Sequence, residues 1–129
     1  MCMAALPRPS SASAPDPAVV LAKAVLSAAS RLGLRSRRLA KVIGASEASV
    51  SRLQRGRGIV PASKEGQLAL LFLRVYRSLD ALVGGDDRRA REWLHAPNDH
   101  LGGVPADRLS EIQGLVDVVE YLDAVRGRL

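Results

Sequence analysis

From residue 18 to residue 125 the apolar positions recur at three- and four-residue spacings, in successive stretches broken by glycine or proline. That is the period of helices burying one face each. In the first stretch Ala18, Leu21, Ala22, Val25, Ala29 and Leu32 form one stripe ending at Gly33, and Asp16-Pro17 in front supplies an acidic cap and a proline for the first turn. Two short stretches follow. Leu39, Ala40 and Ile43 precede Gly44, and Val50 and Leu53 come after it, which predicts two helices meeting at a tight corner. Ala40 is small where the second helix crosses, Gly44 supplies the positive φ of the corner, and Ser46 caps a helix over about 47–55.

Beyond Pro61, Ser63 caps a long helix over about 64–83. Leu68, Leu71, Phe72, Val75, Leu79 and Leu82 make one face of it, widened by Leu70, Leu73 and Tyr76, so it needs cover on more than one side. Gly84-Gly85 ends that helix, and Asp86-Asp87 opens the next with charges suited to the positive end of its dipole. This one carries Ala90, Trp93 and Leu94 as far as Pro97. Pro105 to Leu109 makes a single turn, and Ser110-Glu111-Ile112-Gln113 reads as a capping box that launches the last helix, to about Val125. There Ile112, Leu115, Val116, Val119 and Leu122 face one way, Val118, Tyr121 and Val125 open a second flank, and Asp117, Glu120 and Asp123 stay in water. The glycine pairs at 84 and 102 are turns rather than phosphate cradles, because neither follows a strand or precedes a P-loop lysine.

Composition sharpens this picture. Aromatic residues are only 3% of the chain, so the core is aliphatic and the fold class is all-α. Residues 1–17, rich in Pro, Ser and Ala, read as a disordered leader; 18–83 read as a DNA-binding and dimerisation unit, and 84–129 as a second unit. The net charge of +6 calls for a polyanionic partner. It is concentrated: from 31 to 57 eight cationic side chains stand against Glu47 alone, a net +7, whereas from Asp99 onward six acids outweigh three arginines, a net −3. Cys2, His95 and His100 make neither a disulfide nor a zinc-ligand set, and no nucleophile, base and orienting group can be assembled. The expectation is a protein that is not an enzyme and holds no metal or cofactor. With no membrane-length apolar run and no signal-peptide core, a cytoplasmic location is expected.

The corner itself suggests chemistry. Once Val50 and Leu53 face inward, Ser46, Glu47, Ala48, Ser51, Arg52 and Arg55 face outward, and short polar groups followed by arginines suit a helix lying in the DNA major groove. Arg35, Ser36, Arg37 and Arg38 flank it as further DNA-binding candidates, the arginines adding to the charge that neutralises phosphates. Arg55-Gly56-Arg57-Gly58 can be read as a minor-groove arm, but more simply as the end of the helix and the loop after it.

Leu39-Ala40, Gly44, Ser46 and Val50-Ser51-Arg52-Leu53 through Gly56 resemble the helix-turn-helix of Xre-type repressors. Those proteins often carry, where Ser36 stands, a glutamine that contacts a phosphate; Arg35, Arg37 or Arg38 could replace it. Ala90-x-x-Trp93-Leu94-x-x-Pro97-Asn98-x-x-Leu101-Gly102-Gly103-x-Pro105, then Leu109, Gly114 and Val118, resembles the C-terminal domain of the MbcA/ParS/Xre antitoxin family. The resemblance covers about residues 18–129 and implies an Xre-like helix-turn-helix domain followed by a small C-terminal helical antitoxin domain. It further implies a type II antitoxin, a homodimer within a larger complex, that represses its operon by binding operator DNA and neutralises a RES-domain toxin that consumes NAD or transfers ADP-ribose. In such systems the antitoxin's C-terminal end blocks the NAD pocket; here that end is Val125-Arg126-Gly127-Arg128-Leu129, with Trp93 and Tyr121 as further toxin contacts. Arginines and a free carboxylate on a flexible glycine suit such a pocket. Taken alone, Trp93 reads as a core or hinge aromatic, and Gly127 as a helix end. The rival reading is a helix-turn-helix transcription regulator whose C-terminal half dimerises or binds a ligand.

Overall fold

Short polar side chains set where most of the helices begin in the computed structural model, which describes residues 14–127. Asp16 accepts from the Ala18 amide at 2.9 Å with Pro17 in the first turn, Ser46 from Ser49 at 3.0 Å, Ser63 from Gly66 at 3.0 Å, and Asp86 from Arg88 and Arg89. Each satisfies amides that a first turn leaves without an internal partner. The resulting elements are α1 (Pro17–Arg31), α2 (Ser36–Ile43), α3 (Glu47–Gln54), α4 (Lys64–Leu82), α5 (Asp87–His95), α6 (Pro105–Arg108) and α7 (Ile112–Arg126), with a single 3-10 turn, Asp99–Leu101, between α5 and α6. No strand occurs among the described residues, so the all-α expectation holds; the leader lies, up to residue 13, outside them.

One predicted start is displaced. Ser110 does not cap α7: its amide continues the preceding turn by donating to the Asp107 carbonyl, Glu111 occupies the cap position without a side-chain bond, and Gln113 donates to Asp117 instead of reaching back. Glu111 donates its own amide to the Arg108 carbonyl, so α6 winds directly into the entry of α7 and leaves no room for a capping box.

Helix α4 lies against α7, α1 and α2, which joins the two ends of the chain around one continuous apolar core. Phe72, Val75 and Leu79 are buried as their spacing predicts, but the innermost line continues through Gly66, Ala69 and Ser78, while Leu68, Leu71 and Leu82 are half-buried and Leu70 is 46% exposed. At the start of this line a Cβ on Gly66 would lie 2.1 Å from the Val60 carbonyl oxygen, so glycine lets the loop after α3 pack directly against the first turn of α4. On α7 the buried positions are Gly114, Leu115, Val118, Val119 and Leu122; Ile112, expected inside, is 70% exposed, and Val116 is half-buried. Asp117 and Asp123 are likewise not simply wet: Arg108 Nη2 donates to Asp117 at 2.7 Å and Arg74 Nη2 to Asp123 at 2.6 Å.

The last carbonyls of α1 have no helical partner of their own, and α5 supplies donors. His95 Nε2 lies 2.9 Å from the Leu32 carbonyl oxygen, so that nitrogen carries the proton, and Arg91 Nη1 donates to the Arg31 carbonyl at 3.2 Å. No helix among the described residues is long and apolar enough to cross a membrane, and none of their His, Cys, Asp and Glu side chains cluster as a metal site.

Candidate nucleic-acid interface and partner-binding end

The corner between α2 and α3 is built as its sequence requires. Gly44 adopts φ +70°, which lets the Ala45 amide turn back to the Ala40 carbonyl at 2.8 Å. Ala40, Val50 and Leu53 are buried, 3% exposed or less, so the opposite face of α3 is turned outward. On it Ser46, Glu47, Ala48, Arg52 and Arg55 are exposed and Ser51 is half-buried. Ser49, which periodicity leaves off this face, organises it: its hydroxyl meets Ser46 Oγ at 3.1 Å and accepts from Arg52 Nη2 at 3.1 Å. The i, i+3 spacing of Ser46, Ser49 and Arg52 was visible in the sequence and is the signal that could have found it.

Across the corner, Gln54 Nε2 donates to Ser36 Oγ at 3.3 Å, so the last residue of α3 places a carboxamide at the start of α2. Arg57 pairs with Glu65 at 3.2 Å, which ties the loop after α3 to α4 and favours the helix-end reading over a free arm. Arg35 and Arg37 are exposed and have no carboxylate partner among the described residues. Arg38 departs from expectation: its Nη1 donates to Asp107 Oδ1 of α6 at 2.7 Å, so a cation assigned to phosphate is held by an acid 69 residues away. The two side chains border a cleft of about 610 Å³, lined by Gly33, Leu34, Arg35, Arg37, Lys41, His95 and Ser110 as well. Nothing local in the sequence indicates that α6 would close on α2.

At the other end, Trp93, Tyr121 and His100 stack in a tier, Trp93 and Tyr121 with centroids 6.2 Å apart and His100 and Tyr121 5.6 Å apart. His100 and Tyr121 of this tier border a second cavity of about 600 Å³ whose wall includes Asp99, Arg108, Asp117 and Glu120. Trp93 and Tyr121 are thus brought together, and Val125, half-buried, lies one turn further along α7. Arg126 is exposed but bonded within the chain, donating from Nη1 to Ser78 Oγ at 3.1 Å beside Asp123, which accepts from the same serine at 3.3 Å. Gly127 follows with φ −65° and its amide bonded to the Asp123 carbonyl, a continuation of the helix rather than a flexible break. Arg128 and Leu129 lie outside the described residues.

Comparison with known proteins accounts for both ends. The family model "Antitoxin Xre-like helix-turn-helix domain" matches residues 11–74, and "Antitoxin Xre/MbcA/ParS C-terminal toxin-binding domain" matches residues 78–128. A curated relative, described as "Uncharacterized tRNA/rRNA methyltransferase LasT" from Serratia marcescens, is 39% identical over 59 residues, which is 46% of this chain and 29% of that protein. The chain therefore spans under a third of the length of the curated relative it matches. With the helix-turn-helix corner and the helical C-terminal unit each matched in chain order, this protein belongs to the Xre/MbcA/ParS antitoxin family and carries that family's helix-turn-helix and toxin-binding domains.

Proposed function

We propose that this antitoxin, as a cytoplasmic homodimer, represses its own operon through residues 18–83 and neutralises a RES-domain, NAD-consuming or ADP-ribosylating toxin through residues 84–129. The observation that carries the reading is the tandem order of the two domains on one core, cationic at the corner and acid-leaning beyond Asp99. On the DNA side Arg52 and Arg55 read base edges, with Ser46, Glu47, Ala48 and Ser51 beside them, while Arg35, Ser36, Arg37 and Arg38 take phosphates. A two-fold dimer places two such helices about one turn of duplex apart, so the operator is a palindrome.

On the toxin side Trp93, Tyr121 and Val125 form the docking face, and Arg126, Gly127, Arg128 and Leu129 close the NAD pocket. Because Arg126 rests on Ser78 in the free protein, closing the pocket involves exchanging that bond for one with the toxin. Co-expression with the adjacent reading frame tests the whole reading: the full chain restores growth and co-purifies with the neighbouring protein, and a chain lacking residues 126–129 still co-purifies but no longer restores growth. Full protection by the truncated chain would remove the pocket-closing role.

A further inference from the structure

The cleft between α2 and α6 gathers Arg35, Arg37, Arg38 and Lys41 around a single carboxylate, Asp107, in about 610 Å³. Three of those cations have no acidic partner among the described residues, and the fourth is bonded to Asp107 at 2.7 Å. A concave site with this excess of positive charge attracts a multiply charged anion, and the guanidinium geometry suits a phosphate. Asp107 is well placed to be displaced. Its side chain is 64% exposed, Arg38 is its partner, and it sits on the four-residue α6.

We propose that this cleft is a phosphate seat for the DNA backbone, and that Asp107 of the toxin-binding half occupies it in the free protein as a built-in competitor. This rests on the DNA-binding reading above and adds to it a residue from the opposite half of the chain. Duplex phosphate and the Asp107 carboxylate compete for one guanidinium, so binding DNA frees α6 from α2. Linkage makes the effect reciprocal: anything that holds α6 against α2 weakens the grip on phosphate. A toxin seated on the C-terminal unit has that lever available, because α6 is fixed to α7 by the Arg108–Asp117 pair and the contact at Gly114. The competition carries no base information and so acts equally on operator and unrelated duplex.

Full-length protein and its Asp107→Asn, Arg38→Ala and doubly substituted forms, titrated with a fluorescent duplex from the chain's own promoter and with a random duplex over a salt series, test this. Asp107→Asn is expected to bind both duplexes about two- to fivefold more tightly, as removal of one exposed ion pair permits, and to steepen the salt dependence by roughly one phosphate contact. On the Arg38→Ala background the same substitution is expected to gain little, because the shared partner is gone. Wild-type protein that binds duplex while Asp107→Asn binds no more tightly overturns the proposal alone. Wild-type protein that binds neither duplex overturns the DNA-binding reading and this proposal with it.

Discussion

Replacing Gly114 by alanine sets two effects of known size against each other. Gly114 lies in the first turn of α7, where alanine is favoured over glycine by about 0.5–1 kcal/mol through backbone entropy. Against this, a Cβ built there would sit 2.0 Å from the Arg108 carbonyl oxygen and 2.8 Å from its carbon. The obstacle is backbone, and the same carbonyl accepts the Glu111 amide at 3.2 Å, so it cannot rotate aside without losing that bond. Relief requires α6 and α7 to part by about 1 Å, a gap that already forfeits a quarter to a half of the dispersion well for contacts across it. Those contacts include Ala106, Leu109 and Leu115, each 1% exposed or less. Overpacking of this kind costs about 3 kcal/mol, so the net loss is about 2 kcal/mol and the melting temperature falls by about 8 °C for a chain of this length. Thermal and urea unfolding followed by circular dichroism measure it, with the urea slope unchanged because the unfolded surface is the same. Gly127 provides the control, since it has φ −65° and its nearest neighbours are 3.5 Å away, so alanine there is tolerated. A Gly114→Ala protein that melts with or above the wild type would refute the close-approach argument.

Two further outcomes follow from the corner. Arg52→Ala is expected to lower the affinity ratio of operator to random DNA by about 1–3 kcal/mol in a paired titration, and an unchanged ratio means that Arg52 does not read bases. Ser46→Ala removes the acceptor of the Ser49 amide and the partner of the Ser49 hydroxyl, and is expected to cost about 1 kcal/mol in thermal unfolding. A melting curve indistinguishable from the wild type would show that water satisfies that amide equally well.

Most of what the chain states locally holds in the structure. Asp16-Pro17, Ser46, Ser63 and Asp86 cap helices because a cap needs only its next two or three residues, and Gly44 makes the corner because φ +70° is a property of one residue. The outward surface of α3 was therefore legible from Val50 and Leu53 alone, apart from Ser49. The three-dimensional structure decided whatever depends on a partner distant in sequence. On α4, Ala69 and Ser78 lie inside with Phe72, Val75 and Leu79 while Leu68, Leu71 and Leu82 stay half-buried, because packing against α1, α2 and α7 sets which part of the apolar face is covered. Arg126 rests on Ser78, 48 residues earlier, whereas Ser110 lost its cap role to a local competitor, the turn of α6 that runs straight into α7. Periodicity reports which face of a helix is apolar, but an ion pair such as Arg38 with Asp107 exists only once packing sets two distant elements side by side, since neither charge carries any local mark of its partner.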